Sequence, residues 1–551
     1  MKTLYLAIIL FVSVSLTSYC QNFDGKVSEV IRLNSIGFLP NAVKQASLVE
    51  DVELFYIKDS KTGKVVYQGK PTNPVIQEDV KQSVWTADFS SLKTTGNYYL
   101  EVPGKGRSVN FDISNKVYND AYVTSMRAFY LWRCGMAVSG NHNGIHYHQE
   151  ICHLDDGYED YIGNKGHKHD GTQGWHDAGD YGKYTINAGV TLGVLYLAWD
   201  NFQSQLKSVP LNLPETAPGY PEFLKELKWE TDWVLKMQYP DGSGKVSHKL
   251  TRTNFAGFIM PDKDDGKRYF TDWGSAATAS FVAMLAHASR IFEPYDKVYA
   301  KKCLDAAIVS YNFLAQNLED KRFVQGDFKT GGYTTSDPDD RIWAAAEMWE
   351  TTGDARYLAD FEKRATAMNY KIEETWDWGN VSNLGMFTYA LSNRKGKNAE
   401  IEKIIKQNII ASGDKIVAGI QKDVYRRPLS GRYYWGCNGG IARVSVNLFV
   451  ANKLSPNKKY ENTALDIVGH IFGRNYYNRS YVTGVGINPP MFPHDRRSAA
   501  DGIDAPWPGY IVGGGHNAID WVDEQDSFSH NEVCINWQAP LVFVLGWFIT
   551  K

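Results

Sequence analysis

The chain has little that would commit it to a special environment. Its 551 residues carry 59 Lys and Arg against 62 Asp and Glu, a net charge of −3, so no one-signed field is available to hold a nucleic acid or an anionic membrane surface. It has 6 cysteines. Those beyond Cys20, namely Cys134, Cys152, Cys303, Cys437 and Cys534, are scattered and odd in number, unlike the dense, even set of a disulfide scaffold, so some are expected to be thiols or metal ligands. Past the first twenty residues no apolar run is long enough to span a bilayer, and no low-complexity tract or repeat is seen. Aromatic residues are plentiful, with 16 Trp and 33 Tyr. They suit flat apolar ligands such as sugar faces as well as they suit a large core.

Residues 1–20 combine Lys2, an apolar run from Leu4 to Val14 and a small polar end, which is the layout of a secretory signal. The mature chain is therefore expected outside the cytoplasm, secreted, periplasmic or at the cell surface. Cys20 stands where a lipid-anchored cysteine would, although the bulky Tyr19 fits that processing site poorly.

Between about residues 27 and 114 short runs alternate apolar and polar side chains: Lys44 to Val49, Leu54 to Ile57, Val65 to Tyr67, Asn97 to Val102 and Val109 to Ile113. That pattern predicts a compact antiparallel sandwich. From Asn119 the spacing turns helical, in Ala121 to Cys134, Ala188 to Trp199, Pro221 to Met237, Ala276 to Ile291, Ala300 to Leu318, Asp340 to Thr351 and Leu465 to Gly473. Many helices in series predict an α-solenoid or a closed ring of helical hairpins, with function carried by the loops at one end.

Gly174 to Tyr184 reads GWHDAGDYGKY. Asp177 and Asp180 stand three residues apart in a tight turn, close enough that both ionise comfortably only with a water, a donor or a cation between them, which is how a water-activating base is built. Near the C-terminus WVDEQDSFSHNEVCINWQAP sets Asp523 and Glu532 among aromatics; a glutamate beside Phe528, Val533 and Trp537 is expected to be desolvated and to keep its proton. One ionised and one protonated acid are what acetal hydrolysis requires. Between them SYVTGVGINPPMFPHDRR, too rich in Gly and Pro for a helix, ends in His494, Arg496 and Arg497, donors suited to substrate hydroxyls.

Together these segments resemble glycoside hydrolase family 9. Ser480, Val482, Thr483, Gly486, Asn488, Pro493, His494 and Arg496 fill every position of one family signature, and Trp521, Asp523, Phe528 and Glu532 fill the first half of the other; Cys534 and Gln538 depart from it. VIRLNSIGFLPNAVKQA looks like the start of the immunoglobulin-like domain found ahead of such modules. The resemblance implies a mainly α protein: an immunoglobulin-like β-sandwich over 27–114, then an (α/α)6 barrel of six helical hairpins over 117–551. It implies Asp180 as general base, Asp177 as the partner that orients the water, Glu532 as general acid, Asp523 as its support, and His494 with Arg496 as the grip on the sugar. Cleavage would invert the anomeric centre, with base and acid roughly 6.5 to 9.5 Å apart.

Cys134, Cys152, His153 and His176 offer two sulfurs and two imidazoles, a closed tetrahedral zinc set that is structural rather than catalytic and is similar to the zinc site of some family members. The alternative is a Cys134–Cys152 disulfide or plain buried thiols. TTSDPDD at 334–340 suits calcium; by resemblance the donors are Thr335, Ser336, Asp339, Asp340 and Asp377, with helix capping by Asp339 and Asp340 as the equal alternative. No organic cofactor is expected.

Trp273, Trp378, Tyr433, Tyr434 and Trp435 are loop aromatics that could stack on sugars, with Tyr434 and Trp435, flanked by glycines, the favoured pair. The expected substrate is a β-1,4-linked glucan (xyloglucan, mixed-linkage glucan or amorphous cellulose) cut internally by a monomer. An exo-acting glucosidase or glucosaminidase of the same family, and a non-catalytic cell-surface glycan-binding protein, are the rival readings.

Overall fold

The computed structural model describes residues 27–216, 219–429 and 431–550. The signal segment and Cys20 lie outside them.

The first of these residues form two facing sheets. One has the strand order Ile31–Arg32, Gln45–Leu48, Gln82–Asp88, Val75–Gln77; the other runs Gly37–Phe38, Phe111–Ile113, Gly96–Val102, Phe55–Asp59, Val65–Gly69, with Gly106–Arg107 also paired to Gly96–Val102. The pairing is antiparallel except for Phe111–Ile113 against Gly37–Phe38, which run parallel. The inward side chains of both sheets, among them Leu48, Phe55, Ile57, Phe89, Leu100 and Phe111, form one core, as alternation demands of a sandwich.

The rest is mainly helical, with a small hairpin of Val138–His142 and Ile145–Gln149 and a three-stranded sheet of Lys183–Tyr184, Lys249–Thr251 and Tyr269–Phe270. The long helices are α1 (Asn119–Leu131), α2 (Thr185–Leu206), α3 (Glu222–Lys236), α4 (Ser275–Phe292), α5 (Lys297–Gln316), α6 (Pro338–Thr352), α7 (Ala355–Ala367), α8 (Ser382–Leu391), α9 (Ala399–Gln421), α10 (Cys437–Leu454), α11 (Lys458–Ile471) and α12 (Ile535–Phe548). The even-numbered members touch in sequence and α12 returns to α2, so the inner ring closes and the solenoid alternative is excluded. Composition explains which helices go inside. α4 and α10 are buried on nearly every side, whereas α7 and α9 bury one stripe and expose the rest, the difference between a helix that is apolar all round and an amphipathic one.

One end of the ring carries the long connections. The segment ahead of α2, the 324–337 loop ahead of α6, the 422–436 loop ahead of α10 and the 472–534 excursion ahead of α12 all precede inner helices, so their residues gather over the N-terminal ends of the inner ring.

Candidate active site

The early acidic turn is held by backbone. Asp177 N donates to Gly182 O at 3.0 Å and Ile535 N donates to Asp177 O at 2.9 Å, while Ala178 bridges to Cys534 and Glu532 bridges to His494. Three stretches that are remote in sequence are thus sewn into one small patch. Gly179 is required there: a Cβ would come within 2.0 Å of His494 O.

Asp177 and Asp180 are buried. Asp177 accepts from Asn187 Nδ2 at 2.6 Å and from Tyr333 OH at 2.7 Å, and Asp180 accepts from Tyr184 OH at 3.1 Å. Burial, and then the neighbouring Asp180, push the Asp177 carboxyl up to about 8. Glu532 is raised well above the usual carboxylate range, first by burial and then by the charges of Asp180 and Asp177, against the pull of Arg496 and of the Gly179 N–H. Three acids crowd one space, and desolvation together with like-charge repulsion keeps protons on some of them.

All three line an open cleft of about 550 Å³, walled by Tyr184, Phe255, Tyr333, Trp378, Tyr434, Trp435 and Trp537. Trp435 is exposed and meets Phe528 edge-on. Trp273 lies elsewhere, packed on Phe313 beneath Lys321. Tyr433 is turned to Asp79 and Arg427. The cleft aromatics not singled out in the sequence are Tyr184, Phe255 and Tyr333; a tyrosine after a Gly-Gly pair is too common to stand out.

The other expected site residues sit behind the cleft. Asp523 accepts from Arg479 Nη2 at 2.8 Å, from the backbone N–H groups of Met491 and Phe492, and from Asn531 Nδ2 at 3.1 Å, so it ties the proline-rich loop to the residue before Glu532 and acts by positioning. His494 Nδ1 shares a hydrogen with Gln525 O at 2.7 Å. Arg496 donates to Gly179 O at 2.8 Å and to Ala256 O at 2.9 Å. The Arg496 bond to Gly179 O braces the turn between the aspartates, in addition to the grip on sugar that the sequence suggested. Arg497 is a core residue, paired with Asp495 and bonded to Leu131 O and Tyr510.

Cys134, Cys152, His153 and His176 bring one donor atom each to within 4.8 Å of one another. The cysteines are free thiols, which removes the disulfide alternative. The remaining ring nitrogen of His153 faces Asp264 Oδ2 at 3.3 Å, an orienting contact of the kind that fixes a metal-bound imidazole. This is the one such cluster of His, Cys, Asp or Glu among the described residues. Asp339, Asp340 and Asp377 do not form another. Asp339 accepts from Val381 N, Asp340 from Ser280 Oγ, and Asp377 is paired with Arg443 at 2.9 Å. Thr335 Oγ1 donates to Gly379 O at 3.2 Å. Asp340 Oδ2 is buried without a hydrogen-bond partner, so local partners account for only part of the set expected to hold calcium.

A ring of helical hairpins with paired acids in an aromatic cleft defines a polysaccharide-cleaving hydrolase. Residues 118–545 match the model of glycosyl hydrolase family 9, and residues 26–107 match the cellulase N-terminal ig-like domain; the chain belongs to that family. It is 55% identical over 521 residues, 94% of this chain and 83% of the relative, to Endoglucanase D of Acetivibrio thermocellus. It is 30% identical, over 94% of this chain and 93% of the relative, to a xyloglucan-specific endo-beta-1,4-glucanase of Bacteroides ovatus. Among solved structures, a Bacteroides ovatus family 9 protein superposes with a TM-score of 0.88 at 30% identity, covering 94% of this chain and 98% of that one.

Proposed function

We propose that the protein is an inverting endo-β-1,4-glucanase acting on soluble or amorphous β-glucan, with xyloglucan and mixed-linkage glucan as the candidate polymers. The observation that carries this reading is the shared cleft of Asp180 and Glu532, with burial and two neighbouring carboxylates favouring the protonated form of Glu532. Asp180 takes a proton from the attacking water, Asp177 orients that water, and Glu532 protonates the leaving glycosidic oxygen. Inversion follows because the water attacks the face opposite the departing sugar, with no covalent glycosyl-enzyme. The cleft is open, which favours internal attack over end-trimming, and the 55% identity to an endoglucanase points the same way.

Zinc is the ion that two thiolates and two imidazoles suit best. It would bridge the end of α1, through Cys134, to His176 beside Asp177. One solved relative with a TM-score of 0.86 is a Zn-binding triple mutant of a family 9 endoglucanase. The Met1 to Cys20 pattern supports export from the cytoplasm.

Digestion of xyloglucan, mixed-linkage β-glucan and carboxymethylcellulose, followed by product sizing, viscometry and proton NMR, tests the reading. Loss of viscosity well ahead of reducing ends, with the α-anomer appearing first, is expected. Monosaccharide as sole early product would replace it with the exo reading, and binding without turnover would replace it with a glycan-binding role.

A further inference from the structure

The strand Lys183–Tyr184, directly after the acidic turn, pairs antiparallel with Lys249–Thr251, and the register sets Tyr184 opposite Lys249. Lys249 is wholly buried. Among the described residues no carboxylate lies within salt-bridge reach of its ammonium; its Nζ donates to Gln325 Oε1 at 2.7 Å, Gly331 O at 2.8 Å and Thr330 Oγ1 at 3.2 Å, among the rings of Phe328, Phe323 and Tyr184. A buried cation without a counter-ion is costly and is kept only where its donors and neighbours compensate it. Burial lowers it to about 7, with Asp180 opposing.

The acceptors all belong to residues 325–331, the segment leading to Tyr333. Gly331 N donates to Tyr184 OH at 3.1 Å, and that hydroxyl donates to Asp180 Oδ2. Two residues on, Tyr333 adopts φ 45 and donates to Asp177 Oδ2. His248 adds a second tether at Gly332 O, 2.7 Å away. One loop therefore supports the hydroxyl on each aspartate, and Lys249 makes more bonds to that loop than any other side chain here.

We propose that Lys249 is a positioning residue for the water-activating pair: its ammonium fixes the 330–333 loop so that Tyr333 OH stays on Asp177 and Tyr184 OH stays on Asp180. This rests on the reading of those aspartates as the pair that activates water. The two can fail separately, because the aspartate reading is tested by Asp180→Asn alone.

The test is a mutant cycle of Lys249→Met against the Tyr184→Phe/Tyr333→Phe pair, with kcat and KM on carboxymethylcellulose and thermal melting of each variant. Lys249→Met is expected to lower kcat roughly 10- to 100-fold, as a misplacement of about 1 Å would, with KM within about 2-fold. If Lys249 acts through the loop, adding it to the Tyr184→Phe/Tyr333→Phe pair costs no more than about 3-fold further, because that pair has already removed both hydroxyls the loop holds in place. Lys249→Gln, which keeps an N–H donor, should recover part of the loss, and it takes the place of Lys249→Met in the cycle if the methionine variant does not fold. A kcat within 2-fold of the parent, or losses that simply multiply, would overturn the proposal.

Discussion

At the scale of single residues the chemistry turns on where protons reside. Glu532 ordinarily titrates near 4.5 and is raised well above that in the fold. Activity should therefore fall on the alkaline side as it ionises. Glu532→Gln is expected to reduce turnover by roughly 10²- to 10⁴-fold and to remove that alkaline limb from what remains. The same shift carries a stability cost of known sign. A carboxyl that binds its proton more tightly when folded favours the fold below its unfolded value, and loses that contribution as pH rises toward its folded value. The melting temperature of Glu532→Gln relative to the parent should therefore climb as pH rises above 4.5; a constant difference would mean that Glu532 is not held as an acid. Asp180→Asn should be as damaging as Glu532→Gln. Asp177→Asn should be less so, because Tyr333 OH and Asn187 Nδ2 can still hold an amide in place. Near-normal turnover in Asp180→Asn would move the base elsewhere.

At the scale of elements, the question is how an early turn is aimed at a late strand. Cys134 N donates to Gly174 O, and His176 N donates to Trp132 O, so the chain leaving α1 and the chain entering the turn already run side by side; a metal held by Cys134, Cys152, His153 and His176 would lock that pairing. Stripping metal with a thiol-competent chelator, or substituting Cys152→Ser, should lower kcat and the melting temperature together while KM changes little, and metal analysis should fall with them. Unchanged kcat in demonstrably metal-free protein would make the cluster irrelevant to the base. Much at this scale was legible in the sequence. The D-A-G-D turn and the glutamate among aromatics announced themselves by residue type, and the inner helices α2 and α4 by unbroken apolar runs. The amphipathic α9 was missed although it is 23 residues long, because its single apolar stripe is diluted by lysines and glutamates. The strand Gln82–Asp88 was missed as well, since its pattern of mixed burial blurs the alternation. Arg496 and His494 were read as donors toward sugar from their place on a stiff loop, and the fold adds a contact that no sequence pattern announces, Gly179 O beneath the Arg496 guanidinium.

At the scale of the whole molecule the sandwich is joined to the barrel beside the cleft. Gln77 Oε1 accepts from Val424 N at 3.1 Å, Gln82 Oε1 accepts from Tyr425 OH at 2.6 Å, and Asp79 pairs with Arg427 at 2.9 Å while accepting from Tyr433 OH at 3.2 Å. A small apolar cluster of Val80, Val84, Val424, Tyr425 and Ala518 seals the junction. The loop so gripped runs straight on to Tyr434 and Trp435, which line the cleft. The front domain therefore restrains the aromatic wall of the site as well as the barrel behind it. Arg427 keeps a second partner in Asp423 at 2.8 Å, so Asp79→Ala should cost only about 1 kcal/mol of stability, too little to unfold the protein. Its effect should appear instead in binding: KM for a long β-glucan should rise severalfold while kcat stays within about 2-fold, because the acids are untouched and only the sugar platform is loosened. Tyr433→Phe should show a weaker version of the same change. If Asp79→Ala shifted kcat and left KM alone, the sandwich would be acting on the acids, and the route would have to run through the 472–494 segment that Arg32 and Ser35 also hold.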